Sequence, residues 1–178
     1  MKDCFFCKVW EENIGIIFEN KHFYSRFDRF PLTPGHAEVI PKRHADSILD
    51  LKSGEWPYLY GALEQTIRTI NSTDLRKMYT EFSKIKTPDE LDKNSKWYSE
   101  LSKNPAGDKS AEYCKRMLNH IGIDQKFEDY NIGINNGPLA GRTVHHLHIH
   151  IIPRYKDDVE DPTGGIRNMF PGLGNYKK

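Results

Sequence analysis

Apolar and polar positions recur along this chain with two different periods, and the change of period marks where sheet gives way to helix. Residues 14–19 and 22–27 are short runs rich in β-branched and aromatic side chains, separated by Asn20-Lys21, and they read as a hairpin. Pro31-Leu32-Thr33-Pro34-Gly35 interrupts the ladder, because two prolines and a glycine cannot continue a regular strand. A third strand follows over 36–40 and stops at Pro41. From Gly54 the period lengthens: Leu59, Leu63, Ile67 and Ile70 form the apolar stripe of an amphipathic helix.

Residues 71–119 continue as polar, lysine-rich helical sequence. At Thr87-Pro88-Asp89-Glu90 a Thr cap, a Pro in the first helical position and a Glu three residues after the cap coincide, which predicts a helix start. Asn104-Pro105-Ala106-Gly107 breaks the stretch. It reads as a solvated helical excursion, with a lid or a subunit contact as the sharper alternative. Strand character returns over 129–135, turns at Asn136-Gly137-Pro138 and resumes over 144–152. Beyond Pro153, Asp, Gly and Pro dominate, and 156–178 reads as an irregular tail.

Composition narrows the function classes. The 178 residues carry 26 Lys and Arg against 25 Asp and Glu, without a block of like charge, so bulk binding to nucleic acid or to an anionic membrane is not expected. Any phosphate ligand must be met by charge local to a site. No run approaches the ~20 apolar residues of a membrane span, and no leader of signal-peptide length develops after Met1. Three cysteines, Cys4, Cys7 and Cys114, are too few and too odd for a disulfide framework, so the expected compartment is the cytoplasm.

The densest chemistry lies in Val144-His145-His146-Leu147-His148-Ile149-His150-Ile151-Ile152. In a strand, side chains alternate, so His146, His148 and His150 project from one face at ~7 Å intervals. Leu147, Ile149 and Ile151 project from the other and supply the core. The imidazole row then admits three readings: an exposed polar face, a metal cluster, or catalysis. Catalysis suits it because imidazoles titrate near neutrality, so neighbours can be held in different protonation states, one attacking phosphorus while another donates. The preceding segment, Asn135 through the glycines Gly137 and Gly141 to Thr143, can offer backbone amides to a phosphate.

His146-Leu147-His148-Ile149-His150-Ile151-Ile152 resembles the signature of the histidine triad superfamily of nucleotide hydrolases and transferases. Three further stretches resemble its motifs in the same order: 27–36 ending in His36, Val39-Ile40-Pro41-Lys42-Arg43-His44, and Asn135-Asn136-Gly137. The likeness spans roughly residues 4–70 and 120–155. It implies an α+β fold, with an antiparallel sheet of about five strands, a long helix packed on it, and usually a homodimer. The domain would cover 1–155, with the helical insertion at about 71–119 and the tail at 156–178. His148 would be the nucleophile that forms a transient nucleotidyl-histidine, flanked by His150 and His146, with His36 against the triad. Asp28 would bind the ribose, and Asn135, Gly141, Arg142 and Thr143 would contact the nucleotide phosphate. The partner would be a purine nucleotide or dinucleoside polyphosphate, with no organic cofactor.

Some positions depart from the family. Arg142 stands where Gln is usual and can still clamp a phosphate. Arg26 replaces an apolar side chain against the base, and its guanidinium can stack there. His145 is an extra histidine directed to the opposite face, where a structural role is expected. One C-x2-C pair alone says little about metal, but bacterial relatives complete a zinc site around it. By that resemblance a structural zinc would be held by Cys4, Cys7, His44 and His146. In the tail, Gly164-Gly165-Ile166-Arg167 resembles members acting on dinucleoside polyphosphates, and Asp157, Asp158, Glu160 and Asp161 read as a solvated acidic loop. The expected activity is hydrolysis of a dinucleoside polyphosphate at an α-phosphate. The alternatives are a purine nucleoside phosphoramidase, a phosphorylase, and a nucleotide-binding or zinc-stabilised interaction protein with incidental turnover.

Overall fold

Every residue of the two strands following the first hairpin turn is buried, and the rest of the fold is arranged to cover both of their faces. The computed structural model describes residues 4–84, 108–170 and Gly174. Its strands are β1 (Ile16–Glu19), β2 (Phe23–Phe27), β3 (Ala37–Pro41), β4 (Asp129–Gly133) and β5 (Ile149–Arg154). They form one antiparallel sheet in the order β1-β2-β3-β5-β4. The helices are α1 (Phe5–Glu11), α2 (Trp56–Ser72), α3 (Leu75–Phe82) and α4 (Asp108–Leu118).

Strand parity decides which core each side chain joins. Phe23, Phe27, Ala37, Val39, Ile149 and Ile151 pack with Leu59, Ala62 and Ile70 of α2. The opposite parity sends Tyr24 and Ile40 into a second, smaller cluster with Phe6 and Val9 of α1 and with Ile14. Period-2 alternation thus serves two apolar layers rather than one apolar and one wet face.

The expected α+β architecture is present, with differences at several boundaries. The last strand, expected over 144–152, pairs only from Ile149 onward. His146 lies in a bend and His148 in the unpaired approach to the strand, where the Leu147 amide donates to the Ala45 carbonyl (2.6 Å). Helix α1 falls in a stretch with no expected element; its buried positions are only Phe6 and Val9. The described parts of 71–119 are not a solvated excursion. Leu75, Met78, Tyr79 and Phe82 of α3, and Cys114 and Met117 of α4, belong to the main core. Their lysine-rich composition conceals a narrow apolar stripe at helical spacing. The expected helix start at Thr87 lies outside the described residues. In the tail, Gly165–Met169 forms a 3-10 helix, and Cys114 is fully buried.

The turn before β3 is fixed on three sides. Thr33 Oγ1 donates to the Pro153 carbonyl (2.7 Å), Tyr155 Oη to the Pro34 carbonyl (2.9 Å), and the Gly35 amide to Tyr79 Oη (2.9 Å). Gly35 has φ +83°, and a Cβ there would stand 2.5 Å from Ile70 Cγ2. Replacement Gly35→Ala is therefore expected to lower unfolding free energy by roughly 2–4 kcal/mol, combining left-handed backbone strain with overpacking. Urea unfolding measures it, and a loss below about 1 kcal/mol would show that Ile70 and the turn relax at little cost.

Candidate active site

Pairing of β3 with β5 aligns Ala37 with Ile151, Glu38 with His150 and Val39 with Ile149. Directly opposed residues share a face, so a polar row crosses the sheet: Arg26 on β2, Glu38 on β3, His150 on β5. His36 stands immediately before β3 and His148 immediately before β5. Both are buried, and the ring centroids of His148 and His150 are 4.9 Å apart.

Hydrogen-bond partners assign the ring tautomers. The Leu32 amide donates to His36 Nδ1 (3.3 Å), so the His36 proton sits on Nε2. His36 Nε2 then donates to His150 Nδ1 (3.0 Å), which leaves the His150 proton on Nε2. Asp28 Oδ2 approaches His36 Nδ1 at 3.6 Å. This is not an ion pair, because burial drives His36 below its ordinary value, outweighing the pull of Asp28. Burial likewise lowers His150 to about 4, helped by His36 and His148. His148 Nδ1 donates to the His146 carbonyl (2.8 Å), and an acceptor-only partner requires the proton there. Among the described residues no hydrogen bond engages His148 Nε2, and with the proton on Nδ1 it carries the lone pair.

The sequence-expected nucleotide contacts are distributed around this centre. Asp28 Oδ1 accepts from the Phe30 amide (2.7 Å) and its second oxygen faces His36. Asn135 lies against Gly141, whose φ of +90° closes the loop. That loop uses several of its own amides: those of Gly137, Ala140, Gly141 and Arg142 all donate to carbonyls within 135–138. The Thr143 side chain is exposed. Arg142 donates to the Asp46 carbonyl and meets His145 Nδ1 at 3.5 Å, so it ties the loop to the segment after β3. Arg26 is buried with its guanidinium 5.5 Å from the Phe5 ring centroid. It stacks on α1 of its own chain. Arg167 of the tail reaches the Gly174 carbonyl (3.4 Å).

Below the triad, Cys4, Cys7, His44 and His146 each bring a donor atom within 4.8 Å of the others. Cys4 Sγ lies 3.3 Å from His146 Nδ1, and Cys7 Sγ lies 3.6 Å from both His146 Nδ1 and His44 Nδ1. Sulfur and nitrogen ligands at about 2.3 and 2.1 Å around a tetrahedral ion stand roughly 3.6 Å apart, so the spacing fits such an ion. The other nitrogens are already oriented: His146 Nε2 donates to the Pro41 carbonyl (2.9 Å), and His44 Nε2 faces Asp46 Oδ1 (3.6 Å). Burial and the neighbouring Cys4 push the Cys7 thiol up to about 11, a bias that a bound cation reverses.

Two residues of the site escaped the sequence reading. Phe6 packs on two of the three triad members, 5.9 Å from the His146 ring and 5.1 Å from the His148 ring. Glu38 faces the triad; its signal is parity, two residues after His36 on the same strand face. Arg29 is a third buried charge, donating to Ser110 Oγ (3.2 Å) and joining the turn after β2 to α4.

Comparison with known proteins bears on the family and the fold. A family model described as HIT domain matches residues 11–157. A HIT-like protein of Methanocaldococcus jannaschii is 28% identical over 159 residues, covering 88% of this chain and 83% of that protein. A bis(5'-adenosyl)-triphosphatase of Saccharomyces cerevisiae is 48% identical over 50 residues, 26% of this chain and 24% of that protein. Among solved structures, a HIT family member from Bacillus subtilis shares the fold with a TM-score of 0.53 and 23% identity, over 88% of this chain and 76% of that one. No helix among the described residues is long and apolar enough to cross a membrane.

Neutral burial of His150 couples stability to pH. Its pKa of about 4 in the folded chain lies below the ordinary 6.5, so the unfolded chain binds more protons between those values. Stability is expected to fall by about 2–3 kcal/mol as pH drops from 6.5 to 4, with His36 acting in the same direction. Urea titrations across that window test this; His150→Gln should shallow the slope, and an unchanged slope would contradict it.

Proposed function

The chain belongs to the histidine triad (HIT) family, and from that premise we propose that it hydrolyses dinucleoside polyphosphates at an α-phosphate, releasing a nucleoside monophosphate. The observation that carries the reading is the His148 tautomer: with Nδ1–H committed to the His146 carbonyl, Nε2 presents a lone pair beside the Nε2–H of His150.

In the first step His148 Nε2 forms a bond to the α-phosphorus as the bond to the leaving oxygen breaks, its electron pair going to the departing nucleotide. The adduct keeps its Nδ1 proton, and its positive charge is met by the His146 carbonyl. His150 Nε2–H donates a hydrogen bond to the phosphoryl group without surrendering its proton. In the second step water bonds to phosphorus, the N–P bond breaks, its pair returns to Nε2, and the water's proton leaves to solvent.

The protonation pattern supports a polyphosphate. A nucleotide leaving group departs as a stable anion, whereas an amine must be protonated as its P–N bond breaks. Burial holds His150 and His36 neutral, so neither is poised to supply that proton. The short stretch resembling a bis(5'-adenosyl)-triphosphatase points the same way. We assign zinc to the Cys4, Cys7, His44 and His146 cluster in a structural role. It would cross-link α1 to the approach to β5 and take no part in phosphoryl transfer.

Two measurements test these assignments. Diadenosine tetraphosphate should release AMP faster than an adenosine phosphoramidate, and His148→Ala should slow release by about 10⁴-fold or more. Equal rates for His148→Ala and wild type would remove the nucleophile assignment. AMP binding without turnover of either substrate would favour a binding protein. Purified wild type should carry about one zinc per chain, and Cys4→Ala should lose it together with thermal stability. A wild-type chain without metal ends the zinc assignment.

A further inference from the structure

Glu38 is a buried carboxyl that neither apolar layer of the sheet requires. Its neighbours Ala37 and Val39 serve the α2 core, while Glu38 sits between Arg26 and His150 in the polar row and is 8% exposed. One of its carboxyl oxygens and one ring nitrogen each of His148 and His150 lie within 4.8 Å of one another. Burying a carboxyl against the triad costs free energy unless it meets a polar partner, and a phosphoryl group held by His148 brings one.

The spacing selects what Glu38 can touch. In an in-line transfer the nitrogen, phosphorus and leaving oxygen are nearly collinear, and a group bonded to the leaving oxygen lies roughly 5.5–7 Å from the nitrogen. A group bonded to an equatorial oxygen lies only about 4–5 Å away. With a carboxyl oxygen within 4.8 Å of a ring nitrogen of His148, Glu38 falls in the range of the non-bridging oxygens rather than that of the leaving oxygen.

We propose that Glu38 acts as a neutral carboxylic acid, donating a hydrogen bond to a non-bridging oxygen of the phosphoryl group as His148 attacks it. The inference rests on the phosphoryl-transfer reading above. An ionised carboxylate in the same place would repel those oxygens, whereas a protonated one stabilises charge that grows in the transition state. The charged and titratable groups facing Glu38 are Tyr24 and Arg26 of β2, Asp28 of the following turn, and His148 and His150; on the α1 side, Phe5 lies over Arg26 and Phe6 against His148. Burial, reinforced by the Asp28 carboxylate and opposed by Arg26, raises Glu38 to about 8, so it is mostly protonated at neutral pH. No bond to Glu38 forms or breaks during the reaction.

The test is kcat and KM for diadenosine tetraphosphate from pH 6 to 10 with wild type, Glu38→Gln and Glu38→Leu, folding being checked by circular dichroism. Gln keeps a donor that cannot ionise. Glu38→Gln should stay within about threefold of wild type at pH 7 and hold its rate at pH 9, where wild type falls about tenfold. Glu38→Leu should lose about 10²-fold, mainly in kcat. If Glu38→Gln is as slow as Glu38→Leu while wild type accelerates through pH 8, Glu38 acts as an ionised base and the proposal fails. Equal rates for all three also overturn it. Should Glu38→Leu not fold, the Glu38→Gln profile decides alone. Activity in His148→Ala would instead remove the underlying reading.

Discussion

Three cross-strand pairs between β3 and β5 hold the rest of the site in place. Ala37 with Ile151 and Val39 with Ile149 are locked into the α2 core, and that forces Glu38 and His150 to the other side. A slip of one residue would bury the imidazole among aliphatic side chains and turn the isoleucines toward the ligand. The same pairing brings His36, at the mouth of β3, to His150 and sets the Ala45 carbonyl under Leu147. Register, rather than any single contact, makes this a site.

Around that register the buried imidazoles are set apart by what each nitrogen meets. His36 accepts from a backbone amide and donates to His150; His146 donates to the Pro41 carbonyl and turns its other nitrogen to the cysteines; His148 donates to the His146 carbonyl and keeps Nε2 free. Alternate histidines on one short segment thereby acquire distinct duties without differing in chemistry. Geometry of the second nitrogen separates them.

Much of this was legible in the chain. Period-2 alternation of His and Leu or Ile is strong enough to mark one face of a strand, and the Pro-rich turn ending at Gly35 announces itself. Four metal donors could be named by resemblance, and they do converge. What stayed hidden had physical causes. Helix α1 is seven residues long and buries two side chains, too few to show a period. The apolar stripes of α3 and α4 are diluted by Lys and Arg on their outer faces. Glu38 reads as an ordinary exposed charge until its cross-strand neighbours are known. The glycine loop read as a set of free amides, but a tight turn must satisfy its own backbone, and four of them are used that way.

Phe6 packs simultaneously against the ring of His148, the proposed nucleophile, and the ring of His146 that faces the cysteines. A helix of seven residues has little stability of its own, so α1 stays in place through Phe6, Val9 and the donors at its start. Were α1 to lift as one local-unfolding unit, several parts of the site would change together. That one event would uncover His148, separate Cys4 and Cys7 from the two histidines, and bare Arg26. The exchange of α1 amides and the labelling rate of its thiols would follow the same clock as exposure of the nucleophile. Residues 4–11 therefore form one wall of the proposed site.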